Sequence, residues 1–174
     1  MAESFELDPV DWVTAGAIGE PGQRVFYIQA RKDSEYVALV VEKGQVSALA
    51  QLAQQVLSAA GVTVTPDDLD ERVQRLVEPV TAAWRVGSLA LGGDEEGERF
   101  LLEAEEFVGE EAEEESGVAR FWLGRAELVA LAAHAAYAVE AGARERCRFC
   151  NRPIDPASGH VCPATNGHGP LTVG

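Results

Sequence analysis

Three cysteines and one of three histidines fall within sixteen residues, at Cys147, Cys150, His160 and Cys162. Cys147-Arg-Phe-Cys150 lets two thiolates converge from one tight turn. The segment Pro153-Ile-Asp-Pro156-Ala-Ser-Gly159 then reverses the chain and brings Cys162 back. Thiolate and imidazole are the ligands that Zn2+ prefers, four of them in a tetrahedron. His160, two residues before Cys162, is the simplest fourth ligand. His168 is the alternative and His134 a more distant one. The type of site favours zinc over iron. A zinc knuckle is therefore expected here.

Other uses of these cysteines fit less well. An odd number of cysteines in a chain without an export signal argues against a disulfide framework. No βαβ pattern precedes the C-x-x-C, as a thioredoxin-like redox site would need. Neither the H-x-E of zinc deaminases nor the H-E-x-x-H of metalloproteases is present, so a closed structural site is favoured over a catalytic one. P-loop, G-x-G-x-x-G and G-x-S-x-G motifs are also missing. An enzymatic reading would have to use Arg144, Arg146, Arg148 and Arg152 as ligands for an anionic substrate, with Asn166 or His168 as polar groups beside the knuckle. Those arginines read more simply as a solvated basic patch.

The elements that must position this tail are legible upstream. Strands are expected over 10–19, 24–31 and 35–42, with turns at Gly19-Glu-Pro21-Gly22 and Lys32-Asp-Ser34. On the second strand Val25, Tyr27 and Gln29 share one face; Phe26, Ile28 and Ala30 share the other. The third is apolar enough to be covered on both faces. Helical spacing of Val46, Leu49, Ala53, Val56 and Leu57 follows, with Gly61 as its stop. Thr65-Pro66-Asp67-Asp68 reads as the start of a second helix over about 66–80, with Leu69, Val73, Leu76, Val77 and Val80 turned inward. A similar series then recurs: strands over 84–92, 99–104 and 117–123, and a helix over 125–141. That helix is alanine-rich with little polar face, so it should be buried on most sides. Its His134 reads as a core histidine or as a group facing the knuckle. The acidic stretch 103–115 should be a mobile, solvated loop.

The expected fold class is thus α+β: two β-β-β-α units, an internal duplication with a pseudo-twofold relation, and a C-terminal zinc knuckle. The body would cover 1–142, with units of about 5–61 and 82–142 joined by the helix at about 66–80. The tail 143–174 would pack on it. With 47% hydrophobic residues, the 174-residue chain can bury a core. A net charge of −15 repels nucleic acid and anionic membranes. No segment is apolar and long enough to span a bilayer, and no signal peptide is recognisable, so a cytoplasmic location is expected.

The tail Cys-x-x-Cys-x-x-Pro-Ile-Asp-Pro-x-x-Gly-His-x-Cys-Pro-x-x-Asn-Gly-His resembles the C-terminal signature of an actinobacterial family, domain-of-unknown-function family 3090. The Phe5-Glu-Leu-Asp start, Phe-Tyr-Ile-Gln-Ala at 26–30 and the alanine-rich helix resemble it too. Ala164 stands where the resemblance implies a basic residue. No activity comes with this resemblance. Its genomic association with histidine-phosphatase-like and lipid-kinase-like proteins implies a pathway without a step. Two functions are left: a binding or adaptor module for a protein or small ligand, and an enzyme acting on a phosphorylated or other anionic substrate.

Overall fold

The computed structural model describes residues 3–20, 22–69, 75–109, 115–141, 147–150, 154 and 160–163. Alternating apolar residues form seven strands: β1 (Phe5–Leu7), β2 (Trp12–Ile18), β3 (Val25–Lys32), β4 (Glu35–Val41), β5 (Trp84–Gly93), β6 (Arg99–Glu106) and β7 (Val118–Gly124). Two helices, α1 (Lys43–Ala59) and α2 (Arg125–Ala141), complete an α+β fold. One sheet holds all seven strands in the order β1-β7-β6-β5-β4-β3-β2. The series β2-β3-β4-α1 and β5-β6-β7-α2 are the two expected β-β-β-α units. Inside each unit the pairing is antiparallel, but β4 and β5 meet in parallel, Leu39 opposite Trp84. A twofold axis would place like strands at the junction. Here the first strand of one unit abuts the last strand of the other, so the units repeat along the sheet without a twofold. The α1 crossover brings the chain back to run in the same direction as β4, as parallel pairing requires.

Cross-strand partners show which face is the core. Ala15, Ile28 and Leu39 line up across unit one; Leu102 and Phe121 across unit two. All five are buried and share one core with Val46, Leu49 and Leu57 of α1 and Leu128 and Leu131 of α2. Helix α1 is framed by local chemistry. The Glu42 N–H donates to Gln45 Oε1 at 2.8 Å, and the Gly61 and Val62 N–H groups donate to Ser58 O and Leu57 O. This C-terminal motif needs a left-handed residue, which Gly61 supplies at φ +75°. Helix α2 buries Leu128, Ala132, His134, Ala135 and Ala138 on several sides, packed against α1 and β2. Its alanines let those neighbours approach closely.

Three stretches depart from expectation. Over 66–80 the described residues show one 3₁₀ turn, Pro66–Asp68, after which Leu69 is extended; 75–80 is non-helical. Residues 70–74 lie outside the described residues. The cause is a competing partner. Gln29, 3% exposed on β3, accepts the Val77 N–H through Oε1 at 2.7 Å and donates Nε2–H to Val77 O at 3.2 Å. Both backbone groups that a helix would use at Val77 are therefore taken, and the Val77 side chain points outward, 44% exposed. Pro79 further disfavours helical backbone at Glu78. The segment is a strap across the outer face of unit one, with Leu76 lying over Gly16, where a Cβ would come within 2.9 Å of Leu76 Cγ.

The acidic stretch 103–115 is not all loop. Glu103 and Glu105 belong to β6 and point to the outer face, because Phe100, Leu102 and Ala104 take the inner one. Arg120 pairs with Glu103 at 2.7 Å, and Glu105 accepts the Ser88 hydroxyl at 2.9 Å. Residues 110–114 lie outside the described residues. Finally, β1 lines up in parallel with β7, Leu7 opposite Phe121. The Val10 N–H still donates to Trp122 O on β7 at 2.9 Å, while the Asp11 N–H already donates to Arg31 O on β3 at 2.8 Å. One stretch of chain thus holds both ends of the sheet.

Candidate metal centre

After α2 the described chain resumes in a tight turn at 147–150, as the C-x-x-C spacing demands. The ligand atoms of Cys147, Cys150, His160 and Cys162 all lie within 4.8 Å of one another. Cys147 Sγ and Cys162 Sγ are 3.6 Å apart, and Cys150 Sγ lies 2.9 Å from His160 Nε2. A tetrahedral zinc with Zn–S bonds of about 2.3 Å has S···S edges of about 3.8 Å. The Cys147–Cys162 separation is close to such an edge. Cys147 and Cys162 are 2% and 1% exposed, while Cys150 and His160 are half-buried. This group of three thiols and one imidazole could hold a metal ion.

Electrostatics act in the same direction. Burial pushes the Cys147 thiol up, but backbone hydrogen bonds from Cys150 and Phe149 and contacts with the Cys162 and Cys150 sulfurs outweigh it. Its pKa falls below the ordinary thiol value. The thiolate is the form that binds a metal. Around it, Ile154 packs with the three cysteines in a small cluster separate from the main core. Phe149 and Val161 stay exposed, and the Arg148 guanidinium lies 4.8 Å from the Phe149 ring centre.

Of the remaining candidates, His134 separates from this group. His134 lies in the body, 1% exposed, its Nδ1 3.2 Å from the buried Thr14 Oγ1. It is a core histidine. His168, Asn166, Ala164, Arg144, Arg146 and Arg152 lie outside the described residues. Gln29, which anchors Val77, is marked in the sequence only by its face of β3.

The family model described as "Protein of unknown function (DUF3090)" matches residues 5–162, and the chain belongs to this family. No curated protein and no solved structure matches the chain.

Proposed function

We propose that the chain is a zinc-stabilised binding module of the cytoplasm. Cys147, Cys150, His160 and Cys162 hold a structural Zn2+, which clips a tail, 143–174, onto the end of an α+β body, 1–142, that binds a protein or small ligand. The convergence of four protein donors within 4.8 Å carries this reading. Four donors complete a tetrahedron and leave no position for substrate, which is the mark of a structural site. The energetics of the tail support it. Ile154 is the one large aliphatic side chain in its buried cluster and contributes about 1.5–3 kcal/mol. Fixing the backbone of a single residue costs about 1–2 kcal/mol. A proline- and glycine-rich segment whose described residues bury so little apolar surface gains from a cross-link, and metal binding supplies one.

The second reading is an enzyme that uses the arginine cluster beside the knuckle; Arg148, the described member of that cluster, stacks its guanidinium on Phe149.

Elemental analysis of purified protein tests the clip. One equivalent of zinc is expected in wild type, and its loss in Cys150→Ser. Cobalt substitution should give the thiolate charge-transfer and d–d bands of a tetrahedral site with three sulfur donors and one nitrogen donor. Wild-type protein without stoichiometric metal, with Cys150→Ser folding equally well, would sink the reading.

A further inference from the structure

Acidic residues outnumber Lys and Arg by 29 to 14, so an unpaired cation on this body calls for a reason. Among the described residues Arg31, Arg85, Arg99, Arg120 and Arg125 are in ion pairs. Lys32 donates to the Asp8 carbonyl, and Arg148 stacks on Phe149. Arg24, Lys43 and Arg75 have neither kind of partner among the described residues. These three line two cavities, of 440 and 290 Å3, that share Arg24. Lys43, at the start of α1, lines the larger one. Arg75 stands on the smaller one, on the strap. The Arg24 Nε is buried and has no hydrogen-bond partner. The only other such atom among the described residues is Arg31 Nε, and it has Asp11 at 3.8 Å.

We propose that these cavities form a binding site for a phosphorylated small molecule. Arg24 would grip the phosphate at the shared wall, with Arg75 and Lys43 closing on it from either side. A guanidinium presents two parallel N–H donors that match phosphate oxygens. Several cations around one anion suit the double charge of a phosphate better than a carboxylate. The smaller cavity continues over Ala15, Ala17 and Ile18 toward Ala138 and Tyr137, an apolar lining for the organic part. Two carboxylates among the described residues line these cavities. Glu42 is bound by Arg85 and caps α1, whereas Glu78 stands exposed at the rim of the smaller cavity. Glu78 would repel the ligand and limit its affinity. The inference deepens the binding-module reading by naming its ligand class, and does not depend on the metal.

Calorimetric titration of the full-length, zinc-loaded protein with phenyl phosphate, inorganic phosphate and acetate tests it. Phenyl phosphate should bind one to one and more tightly than inorganic phosphate, and acetate should not bind measurably. Arg24→Gln and Arg75→Gln should each weaken binding by about tenfold or more, as for loss of a charge-assisted hydrogen bond. Glu78→Gln should tighten it by about threefold. Arg75 is exposed, so its variant keeps the fold even if Arg24→Gln does not. No binding of either phosphate at millimolar concentration would overturn the proposal. So would binding indifferent to Arg75 and Glu78. Destabilisation by Arg24→Gln with no phosphate affinity in wild type would assign Arg24 to the C-terminal end of α2, which has no basic residue in its last turn. Metal content read on the same samples tests the clip separately, so either reading can fail alone.

Discussion

Replacing Gln29 by leucine should detach the strap at 75–80 while leaving the sheet intact. Leucine matches the volume of Gln29 and suits a position 3% exposed, so no cavity term arises. What is lost is the pair of hydrogen bonds to Val77, at 2.7 and 3.2 Å. A neutral hydrogen bond is worth about 0.5–1.5 kcal/mol net, which puts the pair at about 1–3 kcal/mol. Val77 is 44% exposed, so water can reach its freed N–H and C=O, and the loss should fall in the lower half of that range. For a domain of this length each kcal/mol moves the melting temperature by roughly 2–4 °C. Urea denaturation should show a lower midpoint at an unchanged slope. Amide exchange at 75–80 should accelerate far more than exchange in β3. An unchanged midpoint with unchanged exchange over 75–80 would refute the argument that this amide, rather than local propensity, sets the conformation of the strap.

Two further outcomes follow from the described contacts. Asp94 accepts the Glu98 and Arg99 N–H groups at 2.8 and 3.1 Å, and these bonds hold its pKa below the ordinary carboxylate value. Its contribution is therefore present above the unfolded-state pKa and is lost as pH falls through the lowered folded value. Melting curves from neutral to strongly acidic pH should show Asp94→Ala less stable at neutral pH and converging on wild type in acid. Gly117→Ala should destabilise by about 1–3 kcal/mol, since its Cβ would fall 2.5 Å from Glu3 O and 3.0 Å from Trp84 Nε1. It would break the 2.9 Å bond from Trp84 Nε1–H to Glu3 O, and near-ultraviolet circular dichroism of the tryptophans should report that.

How legible the fold is depends on where each residue finds its partner. Alternation along β3 sets Phe26, Ile28 and Ala30 on one face and Gln29 on the other without knowledge of any contact, and the apolar run of β4 marks a strand covered on both faces. Helix α1 is bracketed by its own capping residues and by Gly61, all within the local sequence. The strap defeats a local reading because Thr65-Pro66-Asp-Asp68 is a sound helix start, yet Gln29, 48 residues upstream of Val77, captures the backbone. Strand β1 is too short for its period to register, and its partner lies more than a hundred residues away. In the tail, residue type and spacing single out Cys147, Cys150, His160 and Cys162, which the fold brings together. Arg24, Lys43 and Arg75 carry no pattern in sequence, because what marks them is their place on two adjoining cavities without an ion-pair partner among the described residues.

The bridge from β1 to β2 bears on the order in which this chain can be made and folded. β2 can join β3 as soon as the first hairpin has left the ribosome. β1 must wait, because Leu7 rests against Phe121 and the Val10 N–H against Trp122 O. Until about two thirds of the chain has been synthesised, β1 has no strand to pair with, and contacts of such long sequence separation form slowly. Docking of β1 therefore waits on β7. The start of the chain is thereby tied to the making of the last strand of the sheet.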